Sequence, residues 1–406
     1  MRIATSTLFD RGLAAIDLAQ RNLSRAQQQV STGHRVNTAA DDPVAATQIL
    51  RTVSNLATNS QYIANQGIAS HLLGQTDSTL GQVGDLLQSV RTSLVASNNA
   101  ALSDSDRAAI GVELKSRLDA LVSLANTKDG NGSFLFGGYR SNTTPFAVTS
   151  TGVSYAGDDG ARAIQVSATR QIGVSESGAD VFGRISAGNG VFTTTASTSN
   201  SGSGVIDVGQ VTTPASLTGH SYQAQFAVSG GATTYQVVDT DTGTTVPAPA
   251  ASGNAYTSGS AIAFDGLQFT IGGTPASSDS FTIAPAGRQS VFDTLSAAAS
   301  LLTTPTGGAA GRARVASGAL AAIANVDNAL NHILNTRASV GARQNELDAL
   351  GSSANAADID GQSRLSGLQD TDYAKAIAEL TKQQAALSAA QKTFAMIGNK
   401  TLFDYL

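Results

Sequence analysis

The stretch Leu73–Leu94, LGQTDSTLGQVGDLLQSVRTSL, decides the fold class. Leu73, Thr76, Leu80, Val83, Leu87, Val90 and Leu94 recur at alternating three- and four-residue steps, the a/d seam of a coiled coil. Upstream, Ile49, Val53, Leu56 and Ile63 carry a similar seam. The two runs are out of step by one residue near Ser70, a stutter-type skip. Asp42 followed by Pro43 is a good N-cap and first-turn pair, so one long helix is expected to begin there.

Two more helices flank it. Ile16, Ala19, Leu23, Ala26 and Val30 form a seam after Thr7 and Asp10, which fit a capping box, and Gly33 is the expected stop. Ser103 and Asp106 suggest a second capping box ahead of Ile110, Leu114, Leu118 and Leu121. Asp129-Gly130-Asn131-Gly132 then ends the helical flank with turn chemistry. The end of the chain repeats the style. Ile323, Val326, Leu330, Ile333, Val340 and Leu347 share one seam, with Arg337 and Gln344 in its polar breaks. After Gly361 a final helix is expected to carry Tyr373, Ile377, Leu380, Leu387 and Phe394.

The middle is written differently. Residues 141–290 hold six of the eight prolines and eleven of the 21 Phe and Tyr residues, which marks a strand-rich insert. Alternation appears at Tyr222-Ala224-Phe226-Val228, Thr234 to Val238, Leu267-Phe269-Ile271 and Phe281-Ile283. Asp265-Gly266 between two apolar runs is a strong hairpin signal, with Asp158-Asp159-Gly160 and Gly230-Gly231 as weaker ones. The Gly- and Thr-rich stretch 186–204 divides this middle.

The expected fold class is therefore α+β: a long antiparallel helical bundle or coiled coil from both chain ends, with an inserted antiparallel β domain. The simplest packing puts the β module at the far end of the bundle and both termini at the other. Three divisions follow: terminal helices 1–40 plus 362–406, a helical bundle 41–140 plus 288–361, and a β-rich domain 141–287, with possible submodules 141–185 and 186–287.

Composition narrows function by exclusion. The 406 residues contain no cysteine, so thiolate metal centres and cysteine nucleophiles are ruled out. A net charge of −5 argues against a nucleic-acid binder, and nine acidic residues against four arginines place that excess in 141–290. Met1–Leu8 has no apolar core of signal-peptide length, and no run of eighteen apolar residues suggests a membrane span. His34, His71, His220 and His332 have no ligand spacing. No glycine precedes a lysine, so a Walker A loop is absent, and no G-x-S-x-G elbow occurs. Gly202-Ser203-Gly204 lacks the third glycine of a dinucleotide loop. Asp239-Thr240-Asp241-Thr242-Gly243 opens like a calcium loop without its later Glu, and reads better as a hairpin turn. The expectation is no enzyme, no metal and no cofactor.

The terminal helices are amphipathic yet thinly charged. Residues 12–33 carry only Asp17, Arg21 and Arg25, and 383–399 only Lys392. Each tail could simply dock on its own bundle. Alternatively, the tails pair mainly with other copies: a narrow apolar seam is marginal alone, and low charge suits packing among identical neighbours. Ala14, Ala15, Ala19, Ala385, Ala386, Ala389 and Ala390 permit close helix approach. The expected assembly interface is Leu13, Ile16, Leu23, Val30, Tyr373, Ile377, Leu380, Leu387, Phe394, Leu402 and Phe403.

At these residues the chain resembles the flagellin superfamily. Gln29-Val30-Ser31-Thr32-Gly33-His34-Arg35-Val36-Asn37 is similar to the family's Ser-Gly-Lys-Arg-Ile-Asn region, departing at Thr32 and His34. Asp41-Asp42-Pro43-Val44-Ala45-Ala46 follows at the expected place, and Pro43 favours the hook–filament junction branch over flagellin itself. Phe134-Leu135-Phe136-Gly137-Gly138, Ser290-Val291-Phe292-Asp293-Thr294-Leu295, Asp370-Thr371-Asp372-Tyr373-Ala374 and Thr401-Leu402-Phe403-Asp404-Tyr405-Leu406 resemble later family segments, in order. The middle, particularly 186–280, carries no recognisable family signature.

The resemblance implies a structural adaptor at the junction, assembled as a homo-oligomeric ring above hook-associated protein 1 and below flagellin. It implies terminal helices on the inner tube, the bundle in the wall and the β domain outside. It also implies an extracellular protein leaving the cell through the flagellar type III export apparatus, with an uncleaved N-terminus and an export chaperone on the C-terminal helix. A flagellin-type filament subunit is the alternative within the same assembly. A secreted adhesin acting through its β domain is the alternative from another class.

Overall fold

The computed structural model describes residues 5–150, 152–246 and 253–398. Among these residues six helices frame the insert: α1 (Thr5–Thr32), α2 (Pro43–Ser97), α3 (Asp104–Ala125), α4 (Val291–Thr303), α5 (Ala309–Gln369) and α6 (Tyr373–Gly398). Their starts follow local chemistry. The Asp42 carboxylate accepts the Ala45 amide at 2.9 Å ahead of Pro43, opening α2. Ser103 and Asp106 make both halves of the capping box at α3. The Ser290 hydroxyl accepts the Asp293 amide at 3.0 Å at α4.

The chain separates into two compact units, Met1–Gln66 with Ala349–Leu406, and Gly67–Asp348. In the first, the start of α2 runs antiparallel to the end of α5. Asn59 Nδ2 donates to the Ala354 carbonyl at 2.8 Å. A Cβ on Gly361 would stand 2.7 Å from Leu56 Cδ2, so this glycine sits at a close helix crossing. It is not a break: α5 runs through Gly361 to Gln369, and the expected helix start after Gly361 is corrected to Tyr373. The real interruption is Asp370-Thr371-Asp372, where Asp372 accepts the Lys375 amide as a cap.

The α2 seam also needs one correction. Val53 is 46% exposed, and the neighbouring Thr52 is buried in its place. The seam passes through Thr52, Leu56, Asn59, Ile63 and Gln66, so polar side chains hold positions that an apolar pattern skips. Successive three-residue steps at Gln66 and Ala69, both buried, carry the skip near Ser70.

In the second unit all seven residues of the Leu73–Leu94 seam are buried, from 0 to 1% exposed. They face α5, where Val326, Ile333, Val340 and Leu347 of the expected seam are buried together with Ala322 and Ala329, while Ile323 and Leu330 are only half-buried. Arg91 pairs with Asp327 at 2.6 Å and Arg337 with Asp77 at 2.9 Å, which fixes the antiparallel register. α3 and α4 pack closely at Gly111, where a Cβ would meet the Ala299 carbonyl at 3.0 Å. Beside them Phe136, Phe146, Phe182 and Phe292 form an aromatic cluster with centroids 5.0–5.7 Å apart.

Among the described residues fifteen strands make up the insert: β1 (Phe146–Thr149), β2 (Gly152–Tyr155), β3 (Ala163–Ser167), β4 (Arg170–Gly173), β5 (Ile185–Ser186), β6 (Phe192–Ala196), β7 (Val205–Ile206), β8 (Gln210–Val211), β9 (Tyr222–Ser229), β10 (Ala232–Asp239), β11 (Asn254–Ala255), β12 (Ala261–Phe264), β13 (Leu267–Gly272), β14 (Ser280–Pro285) and β15 (Arg288–Gln289). A five-stranded sheet ordered β11-β10-β9-β14-β6 and a smaller sheet around β13 share one core of Phe192, Tyr222, Phe226, Phe269, Ile271 and Phe281 among others. Asp265-Gly266 and Gly230-Gly231 both turn hairpins with positive φ. Asp158-Asp159-Gly160 does not, because β1 pairs β2 and β3 pairs β4; the Asp158 carboxylate instead accepts the Tyr139 and Gly160 amides. The Thr-rich part of 186–204 supplies the edge strand β6, paired with β14.

Candidate assembly interface

α1 and α6 form an antiparallel pair inside one chain. Phe9 lies edge-on to Phe394 at 4.7 Å, and a Cβ on Gly12 would stand 2.7 Å from the Phe394 ring. At the other end a Cβ on Gly33 would stand 2.8 Å from the Tyr373 hydroxyl. Between these ends Ile16, Ala19, Leu23, Ala26 and Val30 face Ala376, Leu380, Leu387, Ala390 and Phe394, all buried or half-buried. The seam read from α1 is therefore satisfied within the chain.

A second apolar set is left in solvent. Leu13 is 61% exposed, Tyr373 54% and Ile377 52%, and Leu18 and Met396 are also exposed. The expected interface thus divides in two: Ile16, Leu23, Val30, Leu380, Leu387 and Phe394 line the inner seam, while Leu13, Tyr373 and Ile377 stand outside it. Leu18 and Met396 fall off the a/d register that served as the sequence signal, while Phe9 sits on that register one heptad before Ile16, ahead of where the expected seam begins. Leu402 and Phe403 lie outside the described residues.

The corner joining these helices to α2 and α5 is held by backbone and carboxylates. Gly33 adopts φ +73 and ends α1. The Arg35 amide donates to the Gln369 carbonyl at 2.7 Å, and the Thr371 amide to the Gly33 carbonyl at 2.8 Å. Arg35 Nη2 reaches the Leu368 carbonyl at 2.9 Å. Segments 29–37 and 370–374, far apart in sequence, are thus one hydrogen-bonded unit. Hydrogen bonds from the Thr38 amide and hydroxyl, with a smaller contribution from Arg25, hold the Asp41 carboxyl below the usual range. The Ala45 amide and Arg35 do the same for Asp42.

The dismissed motifs have structural partners. His220 Nδ1 lies 2.8 Å from Oδ2 of Asp239, the last residue of β10, and His332 Nε2 meets the Asp180 carbonyl at 2.7 Å. The Asp239 carboxylate also accepts the Asp241 and Thr242 amides, so the calcium-like run is a hydrogen-bonded turn.

Family models for the bacterial flagellin N-terminal helical region match residues 5–141, and for the C-terminal helical region residues 323–406. A crystal structure of flagellar hook associated protein-3 from Legionella pneumophila superposes with a TM-score of 0.75 and 30% identity, over 80% of this chain and 98% of that one. The chain belongs to the flagellar hook-associated protein 3 family. Flagellar hook-associated protein 3 of Salmonella typhimurium strain LT2 is 27% identical across 100% of this chain and 99% of its own length. The flagellar junction protein FlgL of Legionella pneumophila superposes with a TM-score of 0.71 and 29% identity, over 80% of this chain and all of that one.

Members of this family are structural proteins of the flagellum, at the junction of hook and filament, and the whole chain takes part in the likeness. Residues 195–285 match the D2-like domain of flagellar hook-associated protein 1. The middle therefore does carry a family signature, correcting the expectation that 186–280 has none. Among the described residues no helix is long and apolar enough to cross a membrane.

Proposed function

We propose that this chain is the structural adaptor that joins the hook, through hook-associated protein 1, to the flagellin filament. It assembles as a ring through its terminal helices, residues 1–40 and 362–406. The observation that carries this reading is the set of apolar side chains left exposed on the α1/α6 pair, Leu13, Leu18, Tyr373, Ile377 and Met396, on helices with few charges. A helix pair that buries one seam and leaves another in water is completed by neighbouring copies and by the subunits above and below. The bundle, 41–140 with 288–361, forms the wall, and 141–287 faces outward. Export runs through the flagellar type III apparatus with an uncleaved N-terminus, and a chaperone covers the C-terminal helix until assembly.

Hooks capped by hook-associated protein 1 test this directly. Full-length chain added to them should bind at the hook tip, and flagellin added afterwards should polymerise there. Equal filament growth without the chain, or absence of the chain from the tip, contradicts the adaptor reading. Filaments made of the chain alone would point to a flagellin-type subunit instead.

A further inference from the structure

Arg107 is 5% exposed, on the first turn of α3, and its Nε has no hydrogen-bond partner. A buried guanidinium with unpaired donors is costly, because burial strips its water and nothing replaces it. One edge is satisfied: Nη2 lies 3.2 Å from Asp104 Oδ1. That carboxylate is shared, since Asp104 also accepts the Thr306 amide at 3.1 Å and the Thr306 hydroxyl at 2.9 Å. The other nearby carboxylate, Asp106, is taken by the amide and hydroxyl of Ser103.

Arg107 lines a cavity of about 290 Å³ with Asn98, Asn99, Ala309 and Arg312. The Arg312 side chain makes no hydrogen bond or ion pair among the described residues. Both Ala309 and Arg312 belong to the opening of α5, a helix of 61 residues with no acidic side chain in its first turn. Such an end presents outward-pointing amides and partial positive charge. Arg107 on α3, and on a second segment Arg312 with the N-terminus of α5, therefore border one space.

We propose that this cleft is an oxyanion site, taking a carboxylate or phosphate between Arg107, Arg312 and the first turn of α5. Guanidinium groups suit this ligand class, since their planar donors match two oxygens at once. The oxyanion is either a free ion or the acidic side chain of a second copy of this chain.

The test is calorimetric titration of the full-length chain with inorganic phosphate at constant ionic strength. The expected result is saturable binding at one site, weakened about tenfold or more in Arg312→Gln, as loss of one charge-assisted contact implies. Because Arg312 is exposed, that variant keeps the fold, and Arg288→Gln controls for general charge loss. Absence of saturable binding, or equal affinity in Arg312→Gln and the native chain, overturns the proposal. Sedimentation of the native chain in chloride and in phosphate then distinguishes the sources. Phosphate that dissolves self-association marks a neighbour's carboxylate as the occupant, and indifference marks a free ion.

Discussion

Single residues set the corner and the turns. Gly33 holds φ +73, a region where a Cβ costs about 1–2 kcal/mol, and that Cβ would also press on the Tyr373 hydroxyl. Gly33→Ala should lower stability by about that amount, read as an earlier loss of helical circular dichroism in urea. No change would mean the corner relaxes freely. His220 offers a pH-dependent counterpart in the β domain. The hydrogen bond to Asp239 raises its pKa, and Asp241 and Asp265 add charge of the same effect. Asp239 itself is held down to about 2, where its hydrogen bonds from His220 and the Asp241 and Thr242 amides outweigh its burial. A raised histidine pKa stabilises the fold fully below the unfolded value of about 6.5, and that stabilisation is lost as pH rises through the folded value. The denaturation midpoint should therefore fall as pH rises above about 6.5 in the native chain and stay flatter in His220→Gln. Identical slopes would rule out the pair as the source. Gly33 was legible in the sequence because a helix stop has a local cause. The His220–Asp239 pair was not, because strand pairing joins residues nineteen apart that no spacing rule connects.

The elements follow their periodicity most closely where the α2 seam is almost continuously apolar, and depart where polar or small side chains take its place, as at Thr52 beside Val53 and at Ala322 and Ala329 beside Ile323 and Leu330. Leu73 to Leu94 was readable residue by residue, and every member is buried. Thr52, Asn59 and Gln66 were missed because their place on the seam depends on the facing helix and not on hydrophobicity. The run of α5 through Gly361 was missed for a related reason: glycine there serves the approach of Leu56, which only the packed pair reveals. Leu87 is 0% exposed, so Leu87→Ala should cost about 2–5 kcal/mol, measured by chemical denaturation. A loss under about 1 kcal/mol would mean the α2/α5 contact repacks without a cavity. The α1/α6 pair permits a sharper separation. Leu380 is half-buried in the inner seam and Ile377 stands 52% exposed. Leu380→Asp should melt the pair within the isolated chain, at a cost of roughly 1 kcal/mol or more. Ile377→Asp should leave the circular dichroism of the isolated chain unchanged and abolish its incorporation into flagella. Normal incorporation of Ile377→Asp would remove the exposed face from the assembly account.

For the molecule as a whole, two kinds of chain occupy one sequence. The helical flanks announce themselves through heptads and through motifs at their ends, so the fold class and the family could be read early. The insert holds the acidic excess and a sandwich core whose strands pair across long separations, such as β14 with β6. Its likeness to a hook-associated protein 1 domain spans residues 195–285. The exposed apolar faces and the adaptor role meet in one measurement: electron microscopy of cells lacking this chain, with a blot for flagellin in the medium. The adaptor account predicts complete hooks without filaments and monomeric flagellin lost to the medium. Normal filaments on those cells would contradict it.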